Sequence, residues 1–472
     1  MSKIYVFGIG GTGSRVMRAL TMLLASGVDC KADTIVPIII DPDAAGGDVE
    51  RTATLMRHYG EVRNKLIFSN NVNNKFFRTE IKEIMTNFHL PLDNTEDCSF
   101  EEYMKINDMS RENKALVNVL FSKKNLNSDM KVGFKGNPNV GSVVLNQFEK
   151  STDFQNFAND FTADDRIFIV SSIFGGTGAS GFPLLLKTLR TSTDIANQNI
   201  VNNAKIGAVT VLPYFKVKQD ENSSIDSATF LSKAKSALAY YNRAISKNNA
   251  INSLYYIADD TRSTTYDNCE GGINQKNNAH FVELVSALAI IDFANSQQTD
   301  RIVHKEFGIE TDTNEIIFEN LGQRTRSQIR KAMTQFILFA KYIDETNDYL
   351  RQPWTIDRAL DKPFFDGDFI RTLKKDILLE YLSWLKEMQS QDRAFTPFEI
   401  HRDPNRVFEL VKGVNQKKKL IDFGDKNYDL FNKYLNNLNK AIDNKAGAKE
   451  QQFVELFYLA TQKLVKDKLN IE

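Results

Sequence analysis

Cysteine is scarce: Cys30, Cys98 and Cys269 are the only three in 472 residues. They stand far apart, are odd in number and lack metal-ligand spacing. This excludes a disulfide scaffold or a zinc module and fits a reducing compartment. Net charge is lacking too, since 60 Lys and Arg balance 60 Asp and Glu. With no dense basic block, the chain offers nothing to nucleic acid or to an anionic membrane as a main partner. No apolar run approaches the length of a transmembrane segment, and the first residues pass into a strand pattern rather than a signal peptide. These absences predict a soluble, cytoplasmic protein, and the length predicts two or three domains.

What the chain does have is glycine placed at the ends of apolar strands. Residues Ile167 to Pro183 read IFIVSSIFGGTGASGFP, a buried-strand pattern that breaks into Gly175-Gly176-Thr177-Gly178-Ala179-Ser180-Gly181 and then opens a helix. Glycines let backbone approach an anion, and the free N–H groups of a new helix point at it. The same layout occurs at the start of the chain. The strand Lys3 to Phe7 runs into Gly8-Ile9-Gly10-Gly11-Thr12-Gly13-Ser14, and Val16, Met17, Leu20, Leu23 and Leu24 then share one helical face. A third glycine cluster, Gly133, Gly136 and Gly141 around Asn137-Pro138, is a strong loop signal.

The strand Thr34 to Ile40 ends in Asp41-Pro42-Asp43. Acids at the carboxyl end of a parallel strand either hold a magnesium ion through water or contact a ribose, or else they cap a solvated turn. Residues 48–130 are polar and rich in Asn and Lys, and read as a helical insertion on the edge of the sheet. Further strands are expected at Ile206 to Leu212 and Ser253 to Ile257, followed by an apolar central helix over residues 278–294 that should be buried. Strands alternating with helices through residues 1–310 predict an α/β domain with a mainly parallel sheet. Residues 311–472 read as a mostly helical C-terminal domain, whose aromatic stripes (Phe336, Tyr381, Trp384, Phe431, Tyr434, Phe453, Phe457) belong to its core.

Taken together, these loops resemble the tubulin/FtsZ superfamily over roughly the first 300 residues. Gly175, Gly176, Thr177 and Gly178 match its glycine signature, with Phe174 in place of the first glycine and Ala179-Ser180 in place of the last pair. Gly8 to Ser14 is similar to its first glycine loop. Asp41-Pro42-Asp43 is similar to its acidic loop, and Gly133 to Gly141 to its terminal-phosphate loop. The fold this implies is a Rossmann-type nucleotide-binding domain of tubulin/FtsZ kind.

The resemblance implies GTP or GDP as ligand. Gly10, Gly11, Thr12, Gly13, Ser14, Gly136, Asn137 and Gly175 to Ser180 would surround the phosphates, with Asp41 and Asp43 on Mg2+ or its waters. Lys135 either faces the terminal phosphate or is a surface lysine. Asp259 and Asn278 would read the guanine edge, with His280 beside them; the plainer alternative for the last two is a helix cap and a half-exposed histidine. In this family, acids after the central helix reach the next subunit's nucleotide. Here that stretch reads Gln297-Gln298-Thr299-Asp300-Arg301, leaving Asp300 as the candidate catalytic acid.

Three functional readings follow. The first is a GTP-binding protein that assembles head to tail into a cytoskeletal filament, with slow or trans-activated GTPase activity. The second is a non-hydrolysing guanine-nucleotide switch or scaffold, with a protein partner on the helical C-terminal half or on the 48–130 segment. The third is a Rossmann-type adenylating enzyme or dehydrogenase, which accounts for Gly8 to Ser14 but not for the other two glycine clusters.

Overall fold

The computed structural model describes residues 2–472 except 70–71, 96, 132, 135, 221–224, 226, 246–249, 261–263, 270, 298–302, 307–308, 310–312, 347–348, 415–426 and 442–446. Its centre is a parallel sheet built from the apolar runs. β1 (Lys3–Ile9) and β2 (Thr34–Ile40) are buried almost throughout, as strands covered on both faces must be. β3 is only Glu80–Ile81. β4 (Arg166–Ser172), β5 (Lys205–Val211), β6 (Ser253–Ile257) and β7 (Val303–Glu306) complete it. The spatial order is β3-β2-β1-β4-β5-β6-β7, every pair parallel.

The chain thus winds outward from β1 to β3, then returns to lay β4 on the other side of β1. Where the order reverses, the connections at the carboxyl ends of β1 and β4 diverge and leave a crevice. Both glycine strings sit at this reversal. The helix α1 (Gly10–Ala25) begins directly after β1, and the positive φ of Gly10, 75°, makes that turn. A Cβ on Gly13 would lie 2.4 Å from the Gly8 carbonyl carbon, so the helix can fold back onto its strand only without a side chain there.

Part of the reading of residues 48–130 is corrected. Helix α2 (Gly47–Arg63) packs on α1, and β3 pairs with β2, so the first third of that stretch is an ordinary unit of the sheet. Short helices follow, among them Arg111–Leu120. Helices α3 (Gly176–Thr191) and α4 (Phe230–Ala244) follow β4 and β5.

The central helix α5 spans Phe281–Asn295 rather than 278–294, and its residues from Phe281 to Ala294 are buried, as its all-round apolar pattern requires. Its start is set by His280. The ring Nδ1 accepts from the Val282 N–H at 3.1 Å, while the Glu283 carboxylate accepts from the His280 N–H at 3.1 Å.

The C-terminal half is mostly helical: α6 (Gln323–Glu345), α7 (Leu379–Gln389), α8 (Tyr428–Ala441) and α9 (Lys449–Leu469). Its aromatics form a core, with Phe336 against Tyr381 at 4.9 Å and Phe453 against Phe457 at 4.9 Å. This layer is seated on the sheet domain through Phe76 against Phe336 at 5.1 Å and through the buried Arg18 on Glu380 and Glu387. The expected boundary after residue 310 lies outside the described residues. No helix among the described residues is long and apolar enough to cross a membrane.

Candidate functional site

The crevice between β1 and β4 opens into a cleft of about 160 Å³. Gly10, Gly11 and Thr12 line it from the first loop, and Gly175 to Gly178 from the second. Asp41 and Asp43 come from the acidic turn, and Gly133 and Gly136 from the third glycine cluster. Segments scattered over the chain therefore meet at one place.

Two helices begin in this wall, and neither is capped. α1 and α3 have no side-chain N-cap hydrogen bond and no acid in the first turn. The first N–H groups of a helix have no intrahelical partner, and the helix dipole adds a partial positive charge there. The loops are built for close approach. A Cβ on Gly178 would be 2.5 Å from the Ser172 carbonyl oxygen, and one on Gly176 would be 3.0 Å from the Asn137 nitrogen. The third loop is held from outside, where the Lys233 ammonium donates to the Gly136 carbonyl at 2.9 Å.

The acidic turn is equally fixed. Asp41 Oδ1 accepts from the Asp43 N–H at 3.1 Å, and Asp43 Oδ2 accepts from the Gly272 N–H. Burial pushes the Asp41 carboxyl up to about 7, and the nearby Asp43 and Asp48 charges add to this. Among the described residues no group of three or more His, Cys, Asp or Glu could hold a metal. A pair of hard oxygen donors beside an anion cradle suits Mg2+, which keeps most of its waters and takes the rest of its shell from phosphate. The donor set therefore fits that ion.

Several expected residues are not in the lining. Gly13 is spent on packing against Gly8. The hydroxyls of Ser14 and Ser180 donate back into their own helices, to the Gly10 carbonyl at 3.4 Å and the Gly176 carbonyl at 2.7 Å. Ala179 lies with Ser180 on the far side of α3, and the Asn137 N–H donates to the Phe134 carbonyl at 2.7 Å. Asp259 lies outside the cleft, its side chain 6% exposed and paired with Arg393 at 2.9 Å, because the C-terminal half brings that arginine to the end of β6. Asn278 is also outside: its amide is 3.5 Å from the Ser390 hydroxyl, and its neighbour Asn277 lines the cleft instead. His280 is fully buried as a helix cap. Lys135 and Asp300 lie outside the described residues.

The structure adds residues to which the sequence assigned no role in the site. Phe174, Phe215 and Phe230 form an aromatic wall, with Phe174 at 5.5 Å from Phe215 and 5.0 Å from Phe230. Cys269, Gln275 and Asn277 face them from the segment before α5. Arg15 lines the cleft beneath the first loop. The signal for it was present, since Arg15 and Arg18 are cations on a helix whose other long side chains are apolar, and each needs a buried partner.

No family model matches the sequence, and no curated protein matches it. Among solved structures, the chain is similar to an FtsZ from M. jannaschii, at 16% identity over 54% of this chain and 46% of that one, with a TM-score of 0.28. It is similar to CetZ2 from Haloferax volcanii, a GTPγS-bound protofilament, at 13% identity over 62% and 58%, with a TM-score of 0.30. It is also similar to CetZ from Methanosaeta thermophila, at 16% identity over 62% and 52%, with a TM-score of 0.23. The chain spans about half the length of the solved chains it matches.

Proposed function

We propose that the cleft binds GTP or GDP with Mg2+, and that nucleotide occupancy governs head-to-tail self-assembly of the protein. The observation that carries this reading is the meeting of two uncapped helix N-termini, each entered through a glycine loop, at the reversal of a parallel sheet. The phosphates would lie against Gly10 to Thr12 and Gly175 to Gly178, with the ion on Asp41 and Asp43. The base would lie along Phe215 and Phe230, its edge toward Gln275 and Asn277. Mg2+ would supply charge neutralisation of the phosphates. The choice of guanine and of assembly is supported by the resemblance of the four loops to the tubulin/FtsZ superfamily. In that reading Asp300 would reach the next subunit's nucleotide, with slow hydrolysis as the result.

The test is to identify nucleotide in the purified protein and to measure GTP turnover against protein concentration. Turnover per subunit that rises with concentration, nucleotide-dependent sedimentation, and loss of turnover in Asp300→Ala support the reading. Failure to bind any guanine nucleotide overturns it.

A second reading, a nucleotide switch that carries a protein partner, is favoured by the helix Arg111–Leu120. There Leu116, Val119 and Leu120 are 56%, 82% and 58% exposed on one face. Tight guanine-nucleotide binding without turnover at any concentration would select it.

A further inference from the structure

Arg15 is 4% exposed, yet it belongs to the wall of the cleft. Its donors fan out to three other parts of the chain and to the first turn of its own helix. Nε donates to Glu283 Oε1 of α5 at 2.5 Å, and Nη1 to Asp48 Oδ2 of α2 at 2.8 Å. Nη2 reaches the Tyr214 hydroxyl after β5 at 3.0 Å and the Thr12 hydroxyl of the first glycine loop at 3.4 Å. The Tyr214 hydroxyl in turn donates to Glu283 Oε1 at 2.9 Å, closing the ring. Gly11 sits directly above: a Cβ there would meet only the Arg15 guanidinium, at 3.4 Å from Nη1.

A guanidinium placed so close to a phosphate cradle invites the reading of a charge that attracts the ligand. The partners argue otherwise. Both carboxylates are themselves buried, at 2% side-chain exposure, and with Arg51 also on Asp48 the cluster of two cations and two anions carries no net charge. What Arg15 does supply is direction. Its planar fork offers donors along fixed lines, whereas a lysine would bring one compact charge with donors at one point.

We propose that Arg15 is a positioning residue for the nucleotide: it sets the spacing of the first glycine loop against α2, Tyr214 and α5, and the cleft keeps its affinity only while that fan is complete. The proposal rests on the nucleotide reading above and deepens it. Without Arg15, Asp48 would keep Arg51 at 2.7 Å, but Glu283 would keep only Tyr214 and its own helix cap, leaving a buried anion in a wall meant for a polyanion.

The experiment measures binding of GTPγS with Mg2+ by calorimetry to the full-length protein, with thermal unfolding of each variant alongside. The variants are Arg15→Lys, Arg15→Met and the double variant Arg15→Met with Glu283→Gln. Lysine keeps the charge and loses the fan, so Arg15→Lys is expected to stay folded and to bind about tenfold or more weakly, as the loss of charge-assisted hydrogen bonds implies. The double variant removes the stranded carboxylate, so it should regain thermal stability over Arg15→Met without regaining affinity.

Wild-type affinity in Arg15→Lys would overturn the proposal while leaving the nucleotide reading intact. Recovery of affinity together with stability in the double variant would also overturn it, because Arg15 would then serve only to neutralise Glu283. Absence of GTPγS binding by the wild type would overturn the nucleotide reading itself, and the proposal with it.

Discussion

A carbon added to Gly10 would lie 3.5 Å from Cβ of Thr177, so the two glycine loops are in van der Waals reach across the β1–β4 crevice. Gly10 is held at a positive φ of 75° that disfavours a side chain, and both helices start without a side-chain cap on their first N–H groups. The cradle is therefore a property of backbone, and its tests are glycine substitutions.

Gly178→Ala would place its Cβ 2.5 Å from the Ser172 carbonyl oxygen and 2.9 Å from the Ser172 nitrogen, both backbone atoms of β4. The expected cost is about 1–3 kcal/mol in urea unfolding, with loss of nucleotide affinity. Gly60→Ala is the contrast. It sits inside α2 with nothing within 4 Å of the added carbon, and is expected to stabilise by roughly 0.5–1 kcal/mol.

Glu387 ties the helical half to the sheet domain. It takes Arg18 through both oxygens, at 2.7 and 2.8 Å, and the Ala279 N–H at 2.8 Å, while Arg18 itself is 2% exposed. Glu387→Ala leaves a buried guanidinium with only Glu380, at an expected cost of about 3 kcal/mol. Asp368→Ala removes the exposed pair with Arg371 and should change stability by less than about 1 kcal/mol. Equal effects in chemical denaturation would contradict this ranking.

His280 makes the fold sensitive to acid. Burial first, then the Arg15 and Arg393 charges, lower its pKa to about 3 from the ordinary 6.5. Between those values the unfolded chain binds a proton that the folded chain refuses, so stability falls as pH drops from 6.5 toward 3 and is fully present above 6.5. His280→Asn keeps a cap acceptor and loses the titration. Thermal melts from pH 7 to pH 4 should show a shallower decline for this variant, and parallel declines would refute the assignment.

Magnesium removal is the test of the acidic turn. With a chelator present, GTPγS affinity is expected to fall by about tenfold or more, since Mg2+ bound through phosphates and one or two carboxylates links the two partners. In Asp41→Asn with Asp43→Asn, calorimetry should give the same affinity with and without the metal.

Much of the site was readable because its parts are local. A glycine string at the end of an apolar strand, as at Gly10 to Thr12 and Gly175 to Gly178, is a local signal that needs no reference to the rest of the chain, and so is the acid pair Asp41 and Asp43 at the end of a strand. β3 was missed because two residues, Glu80 and Ile81, carry no period in a polar stretch. Asn278 was taken for the helix head because side-chain caps are usually Asn, Ser, Thr or Asp, whereas a histidine ring does the capping two residues later. Asp259 stands where the resemblance puts a base-reading residue, and nothing near it in the chain announces Arg393.

The sequence by itself determined the strands, the order of the loops and the chemistry of a backbone cradle, since those depend on neighbours a few residues apart. Only the tertiary structure decided which side chains complete the cleft. Arg15, Asp48, Tyr214 and Glu283 come from four elements, and a buried charge takes whatever opposite charge the packing brings within hydrogen-bond reach, however distant along the chain.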